Sequence, residues 1–243
     1  MLIREELQDL YRGAINKVGP HLAEYNAQSK RGKPKATHPF LLDISNDFNT
    51  AKPSVMIFGQ ETNTWHDEFP ALHDLDLLQR ELQNTYCEFY LEGGIRRYPG
   101  PFWNEFKRIC NTINKGRKPS QQVNFIWNNI NKIGIMGKGH HGPLDRIQFD
   151  FFNVVRDEIR ILKPNLMVFL TGPNYDEFIT KNMAVFAQKP ICDEISELLF
   201  SGEFQGLKSY KTYHPNRLYF MKRNREVIPK MIDLIYSTIE QGP

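Results

Sequence analysis

Cysteine is scarce in this sequence and follows no pattern. Cys87, Cys110 and Cys192 are the only three in 243 residues, far apart and odd in number. Without a Cys-x-x-Cys pair, neither a zinc ribbon nor an iron–sulfur cluster is expected. A disulfide framework is equally excluded, which points to a reducing compartment. Long apolar runs are missing too. The longest, such as Leu166–Leu170, are far too short to span a bilayer. The N-terminus, Met-Leu-Ile-Arg-Glu-Glu, is charged at once and lacks the apolar stretch of a secretory signal. A cytoplasmic protein with no membrane partner is therefore expected. Charge of one sign is also lacking, since the net formal charge is only +3. Total charge does not announce a nucleic-acid binder, and local charge must decide. Internal repeats and low-complexity segments are absent.

What is present is core material. Hydrophobic residues make up 40% of the chain and aromatics 12%, with 17 Phe and 10 Tyr. The length suits one large domain, 1–243, with residues 1–50 as a helical extension and basic loop packed on it. Ile3, Leu7, Leu10, Ala14, Ile15 and Val18 recur at helical spacing, and Gly19-Pro20 is expected to stop that helix before a short second one. Ser29–Lys35 reads as a basic loop, either a solvated tether or a phosphate contact.

Continuous apolar runs then alternate with amphipathic stretches. Val55–Phe58, Val123–Trp127, Asn165–Leu170 and Lys208–Tyr213 read as four strands. Helices are expected over 71–91, from Pro101, over 145–162, after Pro173 and from about Arg223 to Glu240. The alternation predicts a three-layer αβα sandwich around a central, mostly parallel four-stranded sheet.

In such sheets ligands lie beyond the carboxyl ends of the strands. Polar residues collect at those ends here: Gly59-Gln60-Glu61-Thr62-Asn63, Asn128-Asn129, Thr171-Gly172-Pro173 and His214-Pro215-Asn216-Arg217. Any α/β protein has polar loops there. Glu61 also suits a helix cap, His214 a structural histidine, and Asn128 a strand end. The loop Lys138-Gly139-His140-His141-Gly142 invites a metal reading. Adjacent histidines chelate poorly, however, and a mobile glycine-rich loop is the better account, so no metal and no cofactor is expected.

Two of these segments are distinctive together. Val55–Glu61 resembles the first motif of uracil-DNA glycosylases, an apolar strand followed by Gly-Gln-Asp-Pro-Tyr-His. Tyr213–Leu218 resembles their last motif, His-Pro-Ser-Pro-Leu-Ser. Phe125-Ile126-Trp127-Asn128 is similar to the family's strand ending in a base-reading Asn. Leu166–Gly172 is similar to its next strand, and Phe102-Trp103 to the Phe-Trp helix start of the mismatch-specific branch. The order agrees over roughly residues 50–235.

The resemblance implies a DNA base-excision glycosylase that hydrolyses the N-glycosidic bond of uracil or another damaged or mismatched base. It would be metal-independent and monomeric, acting on single- or double-stranded DNA. Glu61 would stabilise the cation-like sugar and position water, and His214 would donate to the departing base. Gln60, Asn63, Phe102 and Asn128 would form the base pocket, with Trp65 and Phe69 as rivals to Phe102 for stacking. Leu218 would wedge into the duplex, and Arg217, Lys222 and Arg223 would hold the strand. Phe204–Arg225 contains no acid and six basic residues, Lys208, Lys211, Arg217, Lys222, Arg223 and Arg225, in keeping with phosphate contacts.

The chain departs from the motif at Glu61, where the family has Asp, and at Asn63, where the family's Tyr excludes thymine's methyl group. A pocket without that wall has room for a larger base. Two other readings remain open: a nucleic-acid-binding module with this fold but no turnover, and a hydrolase of a small nucleoside.

Overall fold

The computed structural model describes residues 2–29, 34–70, 74–137, 139, 142–183, 187–191 and 195–241. Lys30–Lys33 of the basic loop, and Lys138, His140 and His141 of the glycine-rich loop, lie outside these. So does Cys192. The chain forms two compact units. One comprises Met1–Ser45, Glu61–Gly94 and Asn129–Leu162. The other comprises Asn46–Gln60, Ile95–Asn128 and Lys163–Pro243.

The first unit is built on α1 (Ile3–Gln28), a single helix with Pro20 inside it. The expected stop at Gly19-Pro20 does not occur. An internal proline lacks a donor and typically costs ~3 kcal/mol. Here the buried stripe of Leu7, Tyr11, Ile15, Val18, Leu22 and Asn26 runs past the proline, so packing on both sides outweighs the local cost. Asn26 holds β1 (Ala36–Pro39) by its side chain: its amide donates to Ala36 O at 3.1 Å, and its Oδ1 accepts Ala36 N–H at 2.7 Å.

Helix α2 (Leu75–Tyr86) is capped by Asp74, whose carboxylate accepts Leu77 N–H at 3.0 Å, and it runs into one π-helical turn at Cys87–Leu91. The same unit holds β4 (Ile133–Ile135), antiparallel to β1, and the helices α4 (Gly142–Phe151) and α5 (Val155–Leu162). The single helix expected over 145–162 is thus broken. The break buries Phe152 and Val154, which a continuous helix would place on different faces.

The second unit carries the sheet. Its strands are β2 (Ser54–Gly59), β3 (Asn124–Asn129, whose last residue belongs to the first unit), β5 (Leu166–Leu170), β6 (Ala187–Pro190), β7 (Leu199–Phe204) and β8 (Leu207–Thr212), in the order β3-β2-β5-β8-β7-β6. The four strands expected from the sequence form one contiguous block. Strands β2, β5 and β8 are parallel, with Phe58 beside Phe169 and Leu170 beside Thr212. The side chains of β2 and β5 are buried throughout, as continuous apolar runs require.

The expectation of a four-stranded sheet is corrected to six strands and a mixed sheet, because β7 and β6 add antiparallel at the edge. The β7–β8 hairpin closes through Gln205-Gly206, both at positive φ (52° and 82°), as a two-residue hairpin turn requires.

Helices of the second unit are α3 (Pro101–Asn114), α6 (Asp176–Met183), α7 (Pro215–Phe220) and α8 (Asn224–Glu240). They cover the sheet on both faces near β8. Tyr210 reaches Thr238 of α8 through its hydroxyl at 2.8 Å, while Lys211, on the opposite face, reaches Asp176 of α6. The class is therefore α/β, with helices packed on a mixed sheet. Among the described residues, no helix is long and apolar enough to cross a membrane.

Candidate functional site

The strand order places a topological switch in the second unit. From β2 the chain moves to β3 on one side, then returns to β5 on the other. The crevice beyond the carboxyl ends of β2 and β5 is where such sheets bind ligands. Gln60 spans that switch. It follows β2, and its amide donates to the carbonyl of Thr171, just past β5, at 2.7 Å. The Thr171 hydroxyl beside it is buried, with no hydrogen-bond partner among the described residues.

His214 follows β8 and is the N-cap of α7. Its Nδ1 accepts the Asn216 N–H at 3.2 Å. In the neutral ring this assigns the proton to Nε2. Burial lowers its pKa to about 4, so the ring is uncharged at neutral pH. Phe102, the second residue of α3 after Pro101, lies nearly parallel to this imidazole. Phe102 in turn meets Trp103 edge-on, and Trp103 meets Trp127 of β3. Asn128 is fully buried, and its amide donates to Met56 Sδ at 3.5 Å.

Gln60, Phe102, Asn128 and His214 all belong to the second unit, as do Arg217, Leu218, Lys222 and Arg223. Glu61 and Asn63 belong to the first. There Glu61 is half-buried and Asn63 exposed. Thr62 between them is buried, with its carbonyl held close to Gly134 of β4. Trp65 and Phe69 are core residues of that unit and present no free face for stacking. Trp65 packs against Phe40 and Phe89, and Phe69 against His38.

The expectation that Leu218 wedges into a duplex is overturned, because its side chain has 0% exposure. Two residues on, Phe220 is 79% exposed. Positions i and i+2 of a helix lie about 200° apart, so burying one exposes the other. The Arg217 guanidinium sits over the Phe220 ring at 5.4 Å from its centroid. Helical spacing around Leu218 was the signal that could have placed the exposed ring.

The basic stretch is also smaller than its sequence suggests. Lys208 lies near the start of β8, at the far end of the strand from His214, and Lys211 is buried. Arg223 is matched by both carboxylate oxygens of Glu226, at 2.5 and 3.0 Å. Arg217, Lys222 and Arg225 remain exposed around the α7–α8 turn. Lys222 holds a positive φ of 58° there.

Among the described residues, no group of three His, Cys, Asp or Glu is placed to hold a metal ion. Cys87 and Cys110 are free thiols, and burial raises both pKa values, Cys87 to about 12. Neither is activated as a nucleophile. No protein-family model matches the chain, and no curated protein matches its sequence. Fold and site thus define an α/β protein with Gln60, Thr171 and His214 at the carboxyl ends of the strands in its second unit.

Proposed function

We propose that the chain is a DNA N-glycosylase acting on uracil or another damaged base. The observation that carries the reading is His214, held neutral with its proton on Nε2 at the carboxyl end of the sheet. Cleavage of the glycosidic bond leaves charge on a ring oxygen of the departing base and positive charge on the sugar. A neutral donor aimed at the developing anion is typically worth ~3 kcal/mol. Being uncharged, it delivers that help without first paying for a buried imidazolium.

Glu61, next in the chain after Gln60, supplies the carboxylate for the sugar cation and for orienting water. Gln60 is fixed by Thr171 and presents its remaining polar atoms to the base. Phe102 offers an aromatic face to the base. Arg217, Lys222 and Arg225 contact phosphates, and Phe220 takes the stacking role that Leu218 cannot fill.

One observation favours a second reading, a binding module without turnover. Asn128, the candidate base reader, is fully buried and engaged by Met56. The deciding experiment incubates the chain with single- and double-stranded oligonucleotides carrying uracil, mismatched thymine or other damaged bases, and then cleaves abasic sites with alkali. Strand scission that disappears in Glu61→Ala and His214→Ala supports the glycosylase. Salt-sensitive binding with every base intact selects the binding module.

A further inference from the structure

A pocket lies in the second unit, beyond the ends of β5 and β8. Gly172, Asp176, Gln188, Phe200, Lys211 and Tyr213 line it, and its volume is about 120 Å³. A cavity of ~150 Å³ accommodates benzene, so this one has the scale of a single six-membered ring rather than a nucleotide. Its floor is polar. Lys211 is only 2% exposed, and its ammonium donates to an Asp176 oxygen and, at 2.8 Å, to Gln188 Oε1. The same nitrogen lies 5.2 Å from the centroid of the Phe200 ring.

An ammonium carries three N–H donors, so one is left over after these two bonds. The Gln188 amide keeps its NH2, because lysine can only donate and has therefore taken the oxygen. Asp176 keeps its second oxygen. The pocket thus offers two donor groups and one acceptor. The Lys211–Asp176 pair is neutral as a unit, which disfavours a phosphate and favours an uncharged ligand.

We propose that this pocket binds a pyrimidine ring, with the ring against Phe200 and its polar edge on Lys211, Asp176 and Gln188. The base-pairing edge of either uracil or cytosine presents two acceptors and one donor group, the complement of what the pocket offers. Guanine presents one acceptor and two donors and does not match. The source is either a free base or a base within a strand. The proposal does not depend on glycosylase activity, since it requires no turnover and none of Gln60, Glu61, Phe102, Asn128 or His214.

The test is a titration of the full chain followed by backbone amide NMR shifts. Free uracil and oligothymidylate are the probes. Saturable shifts at Gly172, Gln188 and Thr212 support the proposal. With free uracil they assign the pocket to a free base, and with oligothymidylate alone to a base in a strand. Gln188→Ala, on the edge strand, leaves the Lys211–Asp176 ion pair in place and should weaken binding about tenfold, the upper range for one hydrogen bond. N1,N3-dimethyluracil, which has lost its donor, should give no shift at these amides. Equal shifts from dimethyluracil, or the same shifts from inorganic phosphate, overturn the proposal. Shifts confined to Gln60, Phe102 and His214 also overturn it, while leaving the glycosylase reading standing.

Discussion

The Phe102 ring lies nearly parallel to the His214 imidazole, with centroids 5.8 Å apart and planes inclined by 13°. An aromatic wall cannot solvate an imidazolium as water does, so it contributes to the burial that lowers the His214 pKa to about 4. His214 should therefore titrate near pH 4 by NMR rather than near ~6.5. On the proposed function, turnover should show no loss attributable to His214 until the pH approaches 4. The unfolded chain takes up this proton first, so the stability His214 provides is full above ~6.5 and falls as the pH drops through 4. Phe102→Ala, which rehydrates the ring, should move the midpoint back toward ~6.5. A native midpoint at that ordinary value would remove the basis for a neutral donor.

Leu218 and Phe220 should separate folding from binding. Leu218 is buried, and Leu218→Ala should cost ~2–5 kcal/mol in denaturant unfolding. Phe220→Ala removes an exposed ring, so stability should hold within ~0.5 kcal/mol. On the proposed function, DNA affinity should instead fall by ~1–3 kcal/mol, the usual worth of a base–aromatic stack. Fluorescence anisotropy at fixed salt measures the second effect. If Phe220→Ala leaves affinity unchanged while Leu218→Ala lowers it in a fully folded protein, the two roles are reversed.

The parts of the fold written most plainly in the sequence are those where burial is complete. Val55–Phe58 and Leu166–Leu170 are continuous apolar runs because both faces of β2 and β5 are covered. The antiparallel strands β7 and β6, the latter at the edge, were not legible. Phe200 to Glu203 in β7 are partly to fully exposed, and the β7–β8 hairpin turns on Gln205-Gly206 rather than on the Asn-Gly or Asp-Gly pair that announces such a turn. Pro20 misled because local propensity argues against a helix that long-range packing sustains.

At the candidate site, position was readable and environment was not. Gln60, Thr171 and His214 sit at the expected strand ends. The sequence did not show that Lys211 turns inward to Asp176, that Arg223 is neutralised by Glu226, or that Asn128 meets Met56. Those facts depend on partners distant in sequence or on the facing of a single side chain.

In the first unit, stability should hinge on a buried charge pair. Lys132 and Glu158 are both fully buried and bonded at 2.8 Å, and Tyr11 donates to the same Glu158 oxygen at 2.7 Å. Lys132→Met removes the ammonium that faces this buried carboxylate, and the expected loss is ~3–5 kcal/mol. Adding Glu158→Leu should restore much of it, because a buried pair replaced by apolar side chains is often neutral. Tyr11→Phe should cost ~1–3 kcal/mol, since Glu158 then loses one donor while keeping its charge partner. Urea unfolding of the two singles and the double gives the coupling. Additive losses would mean the pair does not act as a unit.

Gly134 supports the segment that carries Glu61. A Cβ there would stand 2.4 Å from the carbonyl oxygen of Thr62 and 3.3 Å from the Thr37 hydroxyl. The closer neighbour is backbone and cannot rotate away, so β4 or the 61–62 segment must shift. Gly134→Ala should therefore destabilise the chain by ~1–3 kcal/mol, the usual range for overpacking. It should also reduce any Glu61-dependent turnover at temperatures where the protein remains folded, since a misplacement of ~1 Å can cost about 100-fold. Gly13→Ala in α1 is the contrasting control. Its added methyl meets nothing within 4 Å, and an exposed helical Gly→Ala should stabilise by ~0.5–1 kcal/mol. Thermal melts and oligonucleotide turnover on the two variants provide the comparison. If Gly134→Ala melts like the native chain and turns over normally, the 61–62 segment does not depend on that close approach.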